Sequence, residues 1–164
     1  MTTIIGIDPG LAETGIGIVE GTGLTVDRYS FGVIQTPKSR SLPNRLNQIF
    51  SKLLLMLEDV KPDLMVVEDI FSLPRYPKSG LNLGKVIGVI LLAGSHQNIP
   101  MVEVPVREAK QILTGNGNAD KRQLEKAVRN ALKLAVPIKP DHASDAVALA
   151  LIGLYRGGHY LNSK

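Results

Sequence analysis

At 164 residues and 44 % apolar content the chain is long enough to bury a real core, which 4 % aromatics and no tryptophan make mainly aliphatic. The absence of cysteine excludes disulfides and thiolate metal sites and fits a reducing compartment. A net charge of +4 is compatible with a polyanionic partner without singling one out. No signal-peptide pattern opens the chain, and no apolar run nears the ~18–20 residues of a membrane span, so a soluble, cytoplasmic protein is expected.

Residues 3–8, 13–20 and about 24–35 read as three strands, joined by connections short enough for an antiparallel meander. Residues 37–45 (TPKSRSLPN) are turn-rich and basic. A helix follows to about Val60, with Leu46, Ile49, Phe50, Leu53, Leu54 and Leu57 in one apolar stripe. Pro62–Asp63 ends it, and LMVVE (64–68) is a short buried strand. The segment 72–84 (SLPRYPKSGLNLG), with two prolines, reads as a loop. Residues 82–97 read as a helix whose Gly84, Gly88 and Gly94 imply a neighbour packed close. MVEVP (101–105) is a strand, 106–114 a short helix, 115–118 a flexible loop, 120–134 a charged helix and 141–156 an apolar helix.

With no repeat, low-complexity tract or linker, this predicts an α/β protein: a mixed five-stranded sheet, antiparallel meander plus two parallel strands, flanked by helices. The expected organisation is a single domain over 1–157 with a short tail, 158–164. By the right-handed crossover rule, the later strands run parallel to the first. Asp8 and Glu68 then lie at C-terminal ends of parallel strands, where open α/β sheets bind ligands. On neighbouring strands they would stand ~5 Å apart, costly unless a proton, a base or a metal intervenes. Oxygen donors of this kind suit Mg²⁺ or Mn²⁺. In PDHASDAVALALIGLY (140–155), His142 and Asp145 share one helix face at i, i+3. Ala146, Ala148, Ala150 and Gly153 would let that helix lie close to the sheet. Asp141 reads as an N-cap or first-turn acid, although Asp141 and Asp145 at i, i+4 form a competing pair that spacing alone does not separate.

GIDPGLAETGIGIVE, VVEDIF, LNLGKVIGV, GNGNADKRQL and HASDAVALA, in this order across residues 3–156, resemble the RuvC family of Holliday-junction resolvases, within the RNase H-like superfamily. The resemblance implies an RNase H-like fold and a structure-selective endodeoxyribonuclease that resolves four-way DNA junctions in recombination and repair. The implied mechanism is two-metal-ion phosphodiester hydrolysis with paired nicks, leaving 5′-phosphate and 3′-hydroxyl ends. Carried over residue by residue, the metal ligands and catalytic groups are Asp8, Glu68, His142 and Asp145, with Asp8 bridging two Mg²⁺ ions. Many family members have aspartate at the position of His142. A neutral nitrogen in place of an anionic oxygen loosens Mg²⁺ and favours Mn²⁺. Alternatively, His142 orients or deprotonates the attacking water.

By analogy with the family's ExxF, Phe71 would stack on a base at the junction centre, worth ~1–3 kcal/mol. Arg75, Lys78 and Lys85 continue a basic track, and Lys110 and Lys121 match family lysines that approach DNA. GNGNADK lacks the GK[ST] ending of a P-loop, and its glycines suggest a mobile backbone beside the DNA. A four-way junction cut on two opposed strands calls for a C₂ homodimer, with helix 82–97 as the candidate contact face. The resemblance also implies a RuvA–RuvB branch-migration complex as partner. Rival readings are a sugar-kinase-type ATPase, which would need a second domain, a catalytically inactive junction-binding module, and a related nuclease acting on other branched DNA or RNA–DNA hybrids.

Overall fold

The computed structural model describes residues 1–70 and 77–162. Strands β1 (Thr2–Asp8), β2 (Glu13–Thr22) and β3 (Thr25–Gln35) form the expected antiparallel meander. Next come α1 (Leu42–Val60), β4 (Leu64–Asp69), α2 (Pro77–His96), β5 (Met101–Pro105), α3 (Val106–Thr114), α4 (Lys121–Leu132) and α5 (Asp141–Asn162). The sheet order is β3-β2-β1-β4-β5, with β4 parallel to both β1 and β5. Long helical connections are what parallel pairing requires.

The unbroken apolar runs of β1 and β4 follow from burial on both faces. Successive side chains of a strand point to opposite sides. Ile4, Leu64 and Val66 therefore join Val147, Ala150 and Leu151 of α5 and Leu124 and Val128 of α4. Ile5, Ile7, Met65 and Val67 face the other way, against Ile49, Leu53 and Leu57 of α1 and Val86 and Ile90 of α2. Each such side chain contributes about 1.5–3 kcal/mol on burial, and almost all of this core is aliphatic.

Helix α5 touches the sheet backbone to backbone. Alanines on the helix and glycines on the strands together permit that closeness. A Cβ on Gly6 would stand 2.0 Å from the Ala146 carbonyl oxygen, and one on Gly15 would stand 2.0 Å from that of His142. In the opposite sense, a Cβ on Gly153 would meet Cγ2 of Ile4 at 2.6 Å.

Several boundaries differ from expectation. The turn-rich 37–45 segment already contains the start of α1, with Pro43 in the first turn, where a missing N–H costs no helical hydrogen bond. Helix α2 likewise opens at Pro77, inside the expected 72–84 loop. Of its glycines only Gly94 is tightly packed, with Met65 and Met101 against it, whereas Gly84 and Gly88 have open space where a Cβ would be. Helix α5 continues past residue 156 to Asn162, through most of the expected tail. Its end is fastened to α3, where Tyr160 Oη donates to Glu108 Oε1 at 2.7 Å and Arg156 pairs with the same oxygen at 3.2 Å. The 115–118 loop, expected to be mobile, is tied down. Gln111 Nε2 donates to the Gly115 carbonyl at 3.0 Å, and its Oε1 accepts from the Gly117 N–H at 2.9 Å.

Candidate active site

Asp8 ends β1 and Glu68 lies near the end of β4, on adjacent parallel strands whose register runs to Ile7 opposite Val67. Asp8 is buried, at 5 % exposure. In the register of β1 with β2, Asp8 faces Gly15, and the missing side chain there admits the first turn of α5. That turn delivers His142, whose Nδ1 lies 2.5 Å from Oδ2 of Asp8. With the proton on Nδ1, the imidazole donates and the carboxylate accepts. His142, not Asp141, thus reaches the strand-end aspartate.

The two strand-end carboxyl groups are hydrogen-bonded to each other. Burial lifts Glu68 to about 8, reinforced by its hydrogen bond to Asp8 and by the charges of Asp8 and Asp145, against the opposing influence of His142. Burial also lifts Asp8 to about 6, helped by the charge of Asp145 and opposed by the Glu68 hydrogen bond and by Lys121. Near neutrality the pair therefore shares a proton, held mainly by Glu68. Two carboxyl groups forced together away from water take up a cation or keep a proton.

Asp145, one turn into α5, turns towards α4. Its Oδ2 lies 3.4 Å from Nζ of Lys121, and Oδ2 of Asp141 lies 3.5 Å from the same ammonium. Burial alone would lower Lys121, but Asp145 and Asp141 together hold it above its ordinary value. Lys121 is set at the first turn of α4 by a reciprocal cap: the Gln123 N–H donates to Asp120 Oδ1 at 2.7 Å, and Gln123 Oε1 accepts from the Asp120 N–H at 2.8 Å. Asp141 opens α5 as a first-turn acid and also accepts from Lys139 Nζ at 2.8 Å.

Asp8, Glu68 and His142 accordingly meet at the strand ends from three separate elements, while Asp145 pairs with Lys121 and acts on both carboxyl groups through its charge. Among the described residues, no three of these donors are already grouped around a single point as a ready ligand set. Asp8 is engaged by Glu68 and His142, and Asp145 by Lys121. The donor set nevertheless fits a divalent cation: three carboxyl groups, two of them lifted chiefly by removal from water, with one imidazole beside them.

Lys85 is exposed on α2 and Lys110 half-buried on α3, and neither belongs to the ion-pair network around Asp145. Phe71 and Arg75 lie outside the described residues, as does the side chain of Lys78. Two participants escaped the sequence reading. Gly15 was legible only as part of an alternating strand, and Lys139 enters the network through Asp141, a partner that neither periodicity nor motif exposes.

The family model "Crossover junction endodeoxyribonuclease RuvC" matches residues 4–153. A crossover junction endodeoxyribonuclease RuvC of Mannheimia succiniciproducens is 37 % identical over 161 residues, covering 98 % of this chain and 79 % of its own length. That of Carboxydothermus hydrogenoformans is 39 % identical, covering 96 % of this chain and 99 % of its own. Among solved structures, Thermus thermophilus RuvC in complex with Holliday junction substrate superimposes with a TM-score of 0.90 at 28 % identity, over 96 % of this chain and 95 % of that one. A sheet with acidic groups at the ends of β1 and β4 and a closely docked α5, matched along nearly its whole length, makes this chain a member of the RuvC family.

Proposed function

We propose that this chain is a metal-dependent endodeoxyribonuclease that resolves four-way DNA junctions by paired nicks, leaving 5′-phosphate and 3′-hydroxyl ends. One observation carries the reading: the convergence of Asp8, Glu68, His142 and Asp145 beside Lys121, in a chain whose fold overlays a RuvC bound to a Holliday junction. Asp8, Glu68, Asp145 and the imidazole of His142 would hold two divalent cations, Mg²⁺ or Mn²⁺, which supply an activated water and neutralise the leaving oxygen.

The chain's own groups do the rest. Asp8 interacts with both Glu68 and His142, so its carboxylate would hold a cation together with either of them. With Nδ1 engaged by Asp8, His142 keeps Nε2 for a cation or for the proton of the attacking water. Lys121 balances the charge of Asp145 and offers a cation to the phosphate being cut. Glu68 must lose its proton for the site to reach full negative charge, which links loading of the site to pH.

Substrate symmetry extends the proposal to a C₂ homodimer. Helix α2 supports it: Leu81 and Leu92 are 68 % and 51 % exposed on the same face as the open Gly84 and Gly88, while Val86 and Ile90 are buried beneath. Phe71, Arg75, Lys78, Lys85 and Lys110 are proposed as further DNA contacts. A RuvA–RuvB branch-migration complex is proposed as partner and the cytoplasm as the place of action. The deciding experiment is cleavage of an end-labelled four-way junction by wild type and Asp8→Asn with Mg²⁺ or Mn²⁺. Turnover by the variant near the wild-type rate would refute the assignment.

A further inference from the structure

A cleft of about 370 Å³ lies between the starts of α4 and α5 and opens beside Asp145. Three cationic side chains line it, Lys121, Arg122 and Lys139, with the carboxylates of Asp141, Asp145 and Glu125, the last already paired with Arg129 at 2.9 Å. Into it projects Asp141, whose carboxylate spans two of them: Oδ1 stands 2.8 Å from Nζ of Lys139 and Oδ2 stands 3.5 Å from Nζ of Lys121. The Asp141 side chain is half exposed and the Lys139 side chain 74 % exposed, so neither needs the ion pair to escape burial. Lys139 above all, and Lys121 with it, hold the Asp141 carboxyl below the usual carboxylate range. In charge and in its two-oxygen reach, the carboxylate does here what a backbone phosphate of nucleic acid would do.

Resting on the reading of this chain as a junction nuclease, we propose that Asp141 is a displaceable stand-in for a DNA backbone phosphate. It holds Lys121 and Lys139 until a strand entering beside Asp145 takes its place, and in doing so it restrains DNA binding. Each of the two lysines then exchanges one anion for another, so the strand gains only the difference. Asp141 itself is left facing the incoming phosphate as a like charge. The consequence is weaker binding and a shallower salt dependence than the cleft's three cations would otherwise give. Asp141 is a positioning residue, acting through the two lysines.

The test measures binding of a fluorescently labelled four-way junction in EDTA, where no cutting occurs, across 50–300 mM salt. Asp141→Asn is expected to bind about three- to ten-fold more tightly at the low-salt end. The slope of log affinity against log salt should steepen by about 0.9, as for one more phosphate neutralised. Adding Lys139→Ala to Asp141→Asn should remove most of both gains, while Lys139→Ala alone should change binding less than about two-fold, its charge being already answered. Asp141→Ser, which keeps a hydroxyl in the first turn of α5, repeats the test should the asparagine variant fold poorly. Binding by either variant no tighter than wild type, or tighter with an unchanged slope, overturns the proposal. If wild type itself neither binds nor cuts the junction, the nuclease reading falls; if wild type cuts normally and the variants show no gain, this inference alone falls.

Discussion

Replacing Gly15 by alanine tests how the site is assembled without touching any reacting group. The added Cβ would stand 2.0 Å from the carbonyl oxygen of His142, 2.5 Å from its carbonyl carbon and 3.1 Å from its Cβ. Contacts under 3.0 Å essentially never occur, so the first turn of α5 must retreat by roughly 1 Å or β2 must bend. Either movement separates His142 Nδ1 from Asp8 Oδ2, now 2.5 Å apart. The rest of α5 stays anchored by Leu149, Leu151 and Ile152 in the core, so the fold should persist at a cost of about 1–3 kcal/mol. A misplacement of ~1 Å at reacting groups can lower a rate on the order of 100-fold. The assay is single-turnover cleavage of a labelled junction, with denaturant unfolding on the same preparations. Gly32→Ala in β3 is the matched control, because a Cβ there meets nothing within 4 Å. Wild-type cleavage by a folded Gly15→Ala protein would refute the reasoning that close docking of α5 builds the site.

Two further outcomes follow from the same geometry. The folded chain retains protons on Glu68 up to about pH 8 and on Asp8 up to about pH 6, which the unfolded chain releases near 4.5 and 3.8. The folded state therefore binds more protons through this window. Stability of the metal-free protein should fall as pH rises from 3.8 to about 8, by on the order of a few kcal/mol, and level off above. Urea midpoints in EDTA at pH 5.5 and 8.5 measure it; Glu68→Gln should flatten most of the decline, and a pH-independent wild-type midpoint would contradict the shared proton. The second outcome concerns the metal. Restoring an anionic oxygen with His142→Asp should shift the ratio of Mn²⁺- to Mg²⁺-supported cleavage several-fold towards Mg²⁺, and an unchanged ratio would remove His142 from the cation's surroundings.

Much of the architecture was legible in the residues themselves. Partial alternation in β2, continuous apolar runs in β1 and β4 and the i, i+3, i+4 stripe of α1 are local patterns, and local patterns report which faces are buried. Connection lengths then dictated antiparallel and parallel pairing, which put Asp8 and Glu68 on adjoining strand ends. Helix starts were less legible: Pro43 and Pro77 read as loop residues, yet both sit in first turns, where proline is compatible with a helix. Glycine proved ambiguous for the same kind of reason. Gly15 and Gly94 mark close approach while Gly84 and Gly88 face open space, and nothing in the local sequence separates the two cases.

The sequence by itself thus determined the sheet, its buried faces and the acidic residues at its rim, because period and connection length are properties of neighbouring residues. Only the tertiary structure showed that His142, rather than Asp141, reaches Asp8. The choice depends on how α5 is rotated and how near it lies to a strand 134 residues earlier in the chain. That depth is set by side chains that are missing from Gly6, Gly15 and Gly17. The approach of α4 to α5 likewise brought Lys121 to both Asp145 and Asp141, ion pairs between groups whose sequence spacing carries no signal of their meeting.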